Sequence, residues 1–311
     1  MVRTTPRIAA CLLIAVLATA GGLLGGCSRN KSSRAVKAVG STSIQPFAEL
    51  LAEEFNDDQK EVYVEVQGGG STTGLQAVED GTANIGMCSR GLKPEEKYTP
   101  VVIAYDGVAV VVHSSNPVSN LTRQQIADMF ALKVTNWNQV GGRDMPVRLI
   151  TREEGSGTRE AFTKMVMEAT ADKVIKAIKA AYHDPATMPA EVKHQLEQAQ
   201  AGARITMRSI TEPSNGSVKA LVEGDPGAIG YMSLGQVGTE VKAVSVDGVA
   251  PSTASVLEKD PKKRYPLVRP FLFVLNGPPT AEAQKFIDFV LSKPSQDLLE
   301  KQGLVRAVMH D

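Results

Sequence analysis

The chain has 311 residues, enough for about two domains, and 42% of them are hydrophobic, which supplies a sizeable core. Lys plus Arg and Asp plus Glu both number 34, so the formal net charge is zero. A general basic surface for nucleic acid is therefore excluded, and any anion site has to be local.

The N-terminus reads as a leader and not as part of the fold. Arg3 and Arg7 precede an apolar run from Ile8 to Leu24, and no acidic residue occurs before Cys27. That is the anatomy of a secretory signal. Its end, Leu24-Gly25-Gly26-Cys27, resembles the lipobox of bacterial lipoproteins. The resemblance implies a signal peptide over 1–26, cleavage before Cys27, acylation (palmitate) of the Cys27 thiol and a lipidated tether over 27–35. The alternative is a single anchor helix, since the run is about as long as a short membrane span. Cys11 falls in the leader, so Cys88 is the one cysteine left for the mature fold and no intrachain disulfide is expected. Within an apolar strand pattern, Cys88 reads as a small buried hydrophobe.

In chain order, Val36 to Val39 predicts a strand that ends at Gly40-Ser41-Thr42-Ser43. Ile44, Phe47, Leu50, Leu51 and Phe55 then fall on one helical face, with Thr42 or Ser43 as the expected N-cap. Val62, Val64 and Val66 alternate along the next strand. Gly68-Gly69-Gly70-Ser71-Thr72-Thr73-Gly74 follows, then a short helix that stops at Asp80-Gly81. Ala83 to Cys88 is a short strand closed by Ser89-Arg90-Gly91. Val101 to Val112 is a long apolar strand carrying Asp106, a carboxylate that is costly to bury without a partner.

A helix is expected from Leu121 to Leu132 with its start at Thr122, then a strand over Val147 to Ile150. That strand feeds Thr151-Arg152-Glu153-Glu154-Gly155-Ser156-Gly157-Thr158-Arg159 and a helix over Ala161 to Tyr182. N–H groups at a helix start lack intrahelical partners and favour negative charge. Arg152 adds a planar fork of donors suited to an oxyanion. The stretch therefore reads as a site for a small tetrahedral anion. Beyond it lie a polar helix from Ala190 to Ala201, a helix opened by Asn215-Gly216-Ser217, and strands over Ala228–Met232, Val241–Val246 and Arg269–Leu275. Two helices end the chain, Ala281–Leu291 and Ser295–Gln302. Strands and helices alternate, which predicts an α/β fold with mainly parallel sheets and ligands at the carboxyl ends of strands.

Several chemistries fail on spacing. Leu75 stands where a nucleotide P-loop requires Lys. Ser156 is flanked by Glu154 and Thr158 where a nucleophile elbow needs glycine. His183 and His194 have no companion His or Cys, so no metal is expected, and no other cofactor either. What is left, Ser/Thr/Gly turns with two strand-end arginines and one embedded aspartate, suits binding and not bond making.

Together these segments resemble the phosphate-binding lipoproteins of bacterial ABC phosphate importers. The residues that carry the resemblance are Val39 to Pro46, Gly68 to Gly74, Asn84 to Arg90, Arg152 to Arg159, Gly227 to Tyr231, Val246 to Val249 and Tyr265 to Leu267. It covers nearly the whole mature chain in order. It implies a type II periplasmic-binding-protein fold, two α/β lobes joined by a two-strand hinge. Lobe I would be 36–112 plus 235–311 and lobe II 113–234, with crossovers near 112 and 234. It implies phosphate binding by Thr42, Ser43 and Ser71 from one lobe and Arg152, Ser156, Gly157 and Thr158 from the other. Glu154 would orient Arg152. Some branches place an Asp at the position of Ser89, where it accepts the proton of hydrogen phosphate. Here Ser89 and Arg90 occupy that stretch of the site, and Asp106 becomes the substitute acceptor.

The expected protein is thus not an enzyme. It is a monomeric solute-binding lipoprotein, anchored on the extracytoplasmic side of the cell membrane, that captures inorganic phosphate and hands it to ABC permease subunits. The rivals are a binding protein for molybdate, tungstate or sulfate, a phosphatase using Ser156, and a sensing or adhesion lipoprotein whose 170–203 segment meets a partner.

Overall fold

The computed structural model describes residues 35–182, 184, 187–201 and 203–307. The signal peptide, Cys27 and His183 lie outside the described residues. The chain opens with β1 (Ala35–Gly40), α1 (Gln45–Asp58), β2 (Tyr63–Gly68), α2 (Ser71–Glu79), β3 (Ile85–Cys88) and a long β4 (Thr99–His113). β1 lies between β2 and β3 and runs parallel to both. The alternation read from the sequence sets the register, with Val36 opposite Val64 and Ala38 opposite Ile85.

The middle of the chain forms β5 (Asn120–Leu121), α3 (Arg123–Phe130), β6 (Arg148–Arg152) and α4 (Gly157–Phe162). α4 continues through a π-helical stretch, Thr163–Glu168, into α5 (Ala169–Ala181). The expected single helix is therefore interrupted. α6 (Ala190–Ala201), β7 (Ile210–Glu212), α7 (Asn215–Gly224) and β8 (Ala228–Ser233) follow, and α5 and α6 pack as a pair. The last third holds β9 (Val241–Ala243), β10 (Ser245–Val246), α8 (Thr253–Leu257), β11 (Val268–Leu275), α9 (Ala281–Leu291), α10 (Lys293–Lys301) and β12 (Val305–Arg306). Thr122 caps α3 in a reciprocal box with Gln125, and Ser214 caps α7 in the same way with Ser217.

The main sheet has the order β2-β1-β3-β11-β4-β8-β6-β7, with β9 and β12 also on β4. Its outer parts are parallel; its centre, β3-β11-β4-β8, is antiparallel. β4 belongs to both halves. Thr99 to Gly107 pairs with β11, and Val108 to Val112 pairs with β8. The pairing thus switches at Gly107–Val108, ahead of the expected crossover near 112. Each half has its own core. One gathers Phe47, Leu51, Phe55, Ile85, Phe273 and Phe286. The other gathers Phe130, Trp137, Phe162 and Tyr231 with Val108, Val110 and Val112 of β4, and it also takes in Val244, Val246, Tyr265 and Leu267. Among the described residues no helix is long and apolar enough to cross a membrane.

Candidate oxyanion site

The carboxyl ends of β1, β2, β3 and β6 converge where the two halves meet, and each carries one of the Ser/Thr/Gly turns. Gly69, Gly70 and Gly155 hold positive φ of 143°, 93° and 88°, which only glycine adopts readily. The turn at Gly155 brings its carbonyl to accept the N–H of Thr72 across the junction at 3.0 Å. Gly157 packs against the opposite half, where a Cβ would lie 2.2 Å from Ser71 Oγ and 2.7 Å from Ser89 Oγ. Packing, not backbone conformation, demands glycine at that position.

The α1 turn departs from expectation. Its N-cap is Ile44, with no side-chain cap, and neither Thr42 nor Ser43 fills that role. Both hydroxyls turn toward the opposite half instead. Thr42 Oγ1 accepts from Arg152 Nη2 at 3.1 Å, and Ser43 Oγ bonds Thr158 Oγ1 at 2.7 Å. Ser71 Oγ accepts the Ser89 N–H at 3.1 Å, and Ser41 Oγ donates to Ser89 Oγ at 2.8 Å. Ser156 Oγ caps α4 by accepting the Arg159 N–H at 3.3 Å. The structure thus brings Thr42, Ser43, Ser71, Ser89, Arg152, Ser156, Gly157 and Thr158 together.

Arg152 is buried at the end of β6. Its Nε and Nη2 both donate to the Glu153 carboxylate at 2.9 Å, and further bonds reach the carbonyls of Glu212 and Pro213. Glu153, not Glu154, therefore orients Arg152. Glu154 is 90% exposed and its carboxylate stands 3.9 Å from Arg159. Arg152 Nη1 is buried and has no hydrogen-bond partner among the described residues. Tyr231 supports this strand end, its hydroxyl bonding Thr151 Oγ1 and the Arg152 N–H; burial pushes its pKa up to about 12.

Asp106 is fully buried in a pair with Arg269 of β11, whose Nε and Nη2 reach one carboxylate oxygen at 3.0 and 2.8 Å. Burial pushes the Asp106 carboxyl up and the Arg269 guanidinium down, and each opposes the other's shift by holding it charged. The group presented to the hydroxyl cluster is the guanidinium: Arg269 Nη1 donates to Thr158 Oγ1 at 2.7 Å and to the Ser89 carbonyl at 3.2 Å, and Nη2 donates to Ser43 Oγ at 3.2 Å. Asp106 thus serves here as the counter-ion of Arg269. Arg90 turns away from the cluster as well. It pairs with Glu96 at 2.7 Å and with Glu160 of α4 at 2.9 Å, at the rim of a cleft of about 720 Å³.

Sequence reasoning missed Glu153, Asn215 and Arg269. Arg269 carried a signal of the kind that marked Asp106, a charge inside an apolar strand, but no local pattern joins them. Asn215 was read as a helix opener only, yet its Nδ2 donates to Ser43 Oγ at 2.9 Å. Among the described residues no group of His, Cys, Asp or Glu could hold a metal ion, and Cys88 is a buried free cysteine.

Comparisons with known proteins bear on this geometry. The model of the PBP superfamily domain matches residues 27–294. The PstS phosphate-binding protein of Bacillus subtilis is 27% identical over 282 residues, covering 88% of this chain and 81% of that one. A Clostridium perfringens phosphate ABC transporter substrate-binding protein, solved with bound phosphate, is 37% identical with a TM-score of 0.73. The match covers 88% of this chain and all of that chain. An ABC-type phosphate transport receptor from Vibrio cholerae is 30% identical with a TM-score of 0.65, over 87% of this chain and 99% of that one. The fold is the expected type II periplasmic-binding-protein fold, and the chain belongs to the PBP superfamily, among its PstS-like solute-binding proteins.

Proposed function

We propose that the protein captures inorganic phosphate outside the cytoplasmic membrane and delivers it to an ABC permease. The observation that carries this reading is Arg152 Nη1, a buried guanidinium donor with no partner among the described residues, on a side chain whose Nη2 reaches the Thr42 hydroxyl across the junction. Buried donors of this kind are costly unless an acceptor meets them. The two guanidiniums at the junction each have a carboxylate partner, so neutral O–H and N–H donors supply most of the contacts to the anion.

The binding set is Thr42, Ser43, Ser71, Ser89, Arg152, Ser156, Gly157 and Thr158, with Glu153 orienting Arg152. The lobes hinge where β4 changes partner and where the chain leaves β8, and closure forms the Ser43–Thr158 and Thr42–Arg152 contacts. A monomer tethered through acylated Cys27 would work at the membrane surface beside its permease. The phosphatase reading is set aside: solute-binding proteins of this kind are not enzymes, and Ser156 Oγ is engaged as a helix cap. The test is calorimetric titration of the protein with phosphate. A saturable heat at one site per chain is expected, and its absence would refute the reading.

A further inference from the structure

The halves are joined by more than one kind of contact. Inside the anion site, Thr42 meets Arg152 and Ser43 meets Thr158. Outside the hydroxyl cluster, at the rim of the cleft of about 720 Å³, the contact is ionic. Arg90 and Lys93 follow β3, whose Ile85 and Met87 pack in the core of the first half. Glu160 stands on α4, whose next residues, Ala161 and Phe162, pack in the core of the other half. Glu160 Oε2 lies 2.9 Å from Arg90 Nε and 2.9 Å from Lys93 Nζ. A carboxylate of one half therefore meets two cations of the other.

The two sides of this contact are built differently. Arg90 is held within its own half: Nη1 and Nη2 donate to the two Glu96 oxygens at 2.8 and 2.7 Å, and Nη1 also donates to the Gly91 carbonyl at 3.0 Å. Glu96 also accepts the Lys93 N–H at 2.7 Å. Such a bidentate fork fixes the plane of a guanidinium, so the cationic face stays formed when the halves part. Glu160 meets that face by charge. Arg90 Nε makes no aligned hydrogen bond despite its close approach to Glu160, and the half-exposed Lys93 reaches over from the surface. An attraction with so little orientational demand forms and breaks without rebuilding either half. Glu160 also shares the first turn of α4 with Thr158, so a pull on Glu160 acts on the turn that brings Thr158 to Ser43.

We propose that Glu160 is the closing latch of the phosphate site: its ion pairs with Arg90 and Lys93 hold the halves together from outside the anion cage and slow the release of phosphate. This deepens the function proposed above and rests on it. The pairs exist only where the halves meet, so they favour the closed form and act on release, not on capture. Ion pairs in contact with solvent shift an equilibrium by about fivefold or less each, and salt screens them.

The experiment is release of radiolabelled phosphate into excess unlabelled phosphate, followed by rapid filtration at low and high sodium chloride, with affinities from calorimetry. The proteins are the wild type, Glu160→Gln, Lys93→Gln, both together, and Lys285→Gln. Glu160→Gln should release phosphate about threefold to tenfold faster at low salt, with association within about twofold of wild type. Wild-type release should quicken with salt, and the variant should show less of that dependence. Lys93→Gln should have a smaller effect, and none once Glu160 is replaced, because its partner is gone. Lys285 pairs with Glu61 within the first half at 3.1 Å, so Lys285→Gln should leave release unchanged. A merely structural role for Glu160 would not produce the loss of salt dependence. Unchanged release in Glu160→Gln, or affinity lost through slower association, would overturn the latch and leave the phosphate reading standing. No saturable phosphate binding by the wild type would overturn both.

Discussion

The buried junction and the cleft rim use the same chemistry at two depths. At the junction, Arg269 and Asp106 are 2% and 0% exposed. At the rim, Arg90 is paired with Glu96 and Glu160, which are 16% and 26% exposed, and Lys93 joins Glu160 from the surface. Contact distances are similar, between 2.7 and 2.9 Å. Solvent makes the difference: water can replace a lost partner at the rim and cannot do so at the junction. The junction pair therefore constrains the conformation of everything it touches, and the rim pairs chiefly adjust it.

The largest test of that contrast is Asp106→Leu, which leaves Arg269 buried without its counter-ion. A stability loss of about 3–5 kcal/mol is expected in urea unfolding; a loss below about 1 kcal/mol would erase the distinction of depth. Next is Arg152→Gln, which removes a charged donor from the site. Charge-assisted bonds contribute about 1.5–3 kcal/mol, so phosphate affinity should fall about tenfold to 100-fold in calorimetry, with the fold intact by circular dichroism.

Gly157→Ala places a methyl against Ser71 and Ser89. A cost of about 1–3 kcal/mol should appear as weaker phosphate binding, because the clash exists only where the halves meet. Unchanged affinity would mean that the halves need not approach this closely. Replacing the two neighbouring acids in turn checks the corrected role: Glu153→Ala should lower phosphate affinity several-fold, whereas Glu154→Ala should leave it unchanged.

The smallest effect belongs to Glu96. The hydrogen bond from Arg90 is the chief cause holding its carboxyl below the ordinary value of 4.5. Its contribution is present above that unfolded-state value and is lost as pH falls through the lowered folded value. Glu96→Gln should therefore reduce stability near pH 7 by about 1 kcal/mol or less, given its exposure to solvent, and flatten the acid limb of the stability profile.

Much of the site was legible because its signals are local. Gly-Ser-Gly-Thr after β6 and Gly-Gly-Gly-Ser after β2 announce strand-to-helix turns through residues a few positions apart. The periodicities that placed α1 and β2, and the apolar run that placed β4, are likewise properties of short windows. Where local rules failed, a distant partner had claimed the group. Thr42 and Ser43 looked like caps for α1, yet Arg152 and Thr158 from the other half hold their hydroxyls.

The sequence by itself therefore determined the turns, the strand ends they sit on and the presence of Arg152 among them. Tertiary structure decided which charge meets which: Asp106 finds Arg269 at a separation of 163 residues, and Asn215 finds Ser43 at 172. It also set Glu153 against Arg152 and left its neighbour Glu154 exposed. Local sequence carries the backbone preferences of a short window. The pairing of buried charges and hydroxyls depends on desolvation at the junction, which exists only when the two halves are packed together.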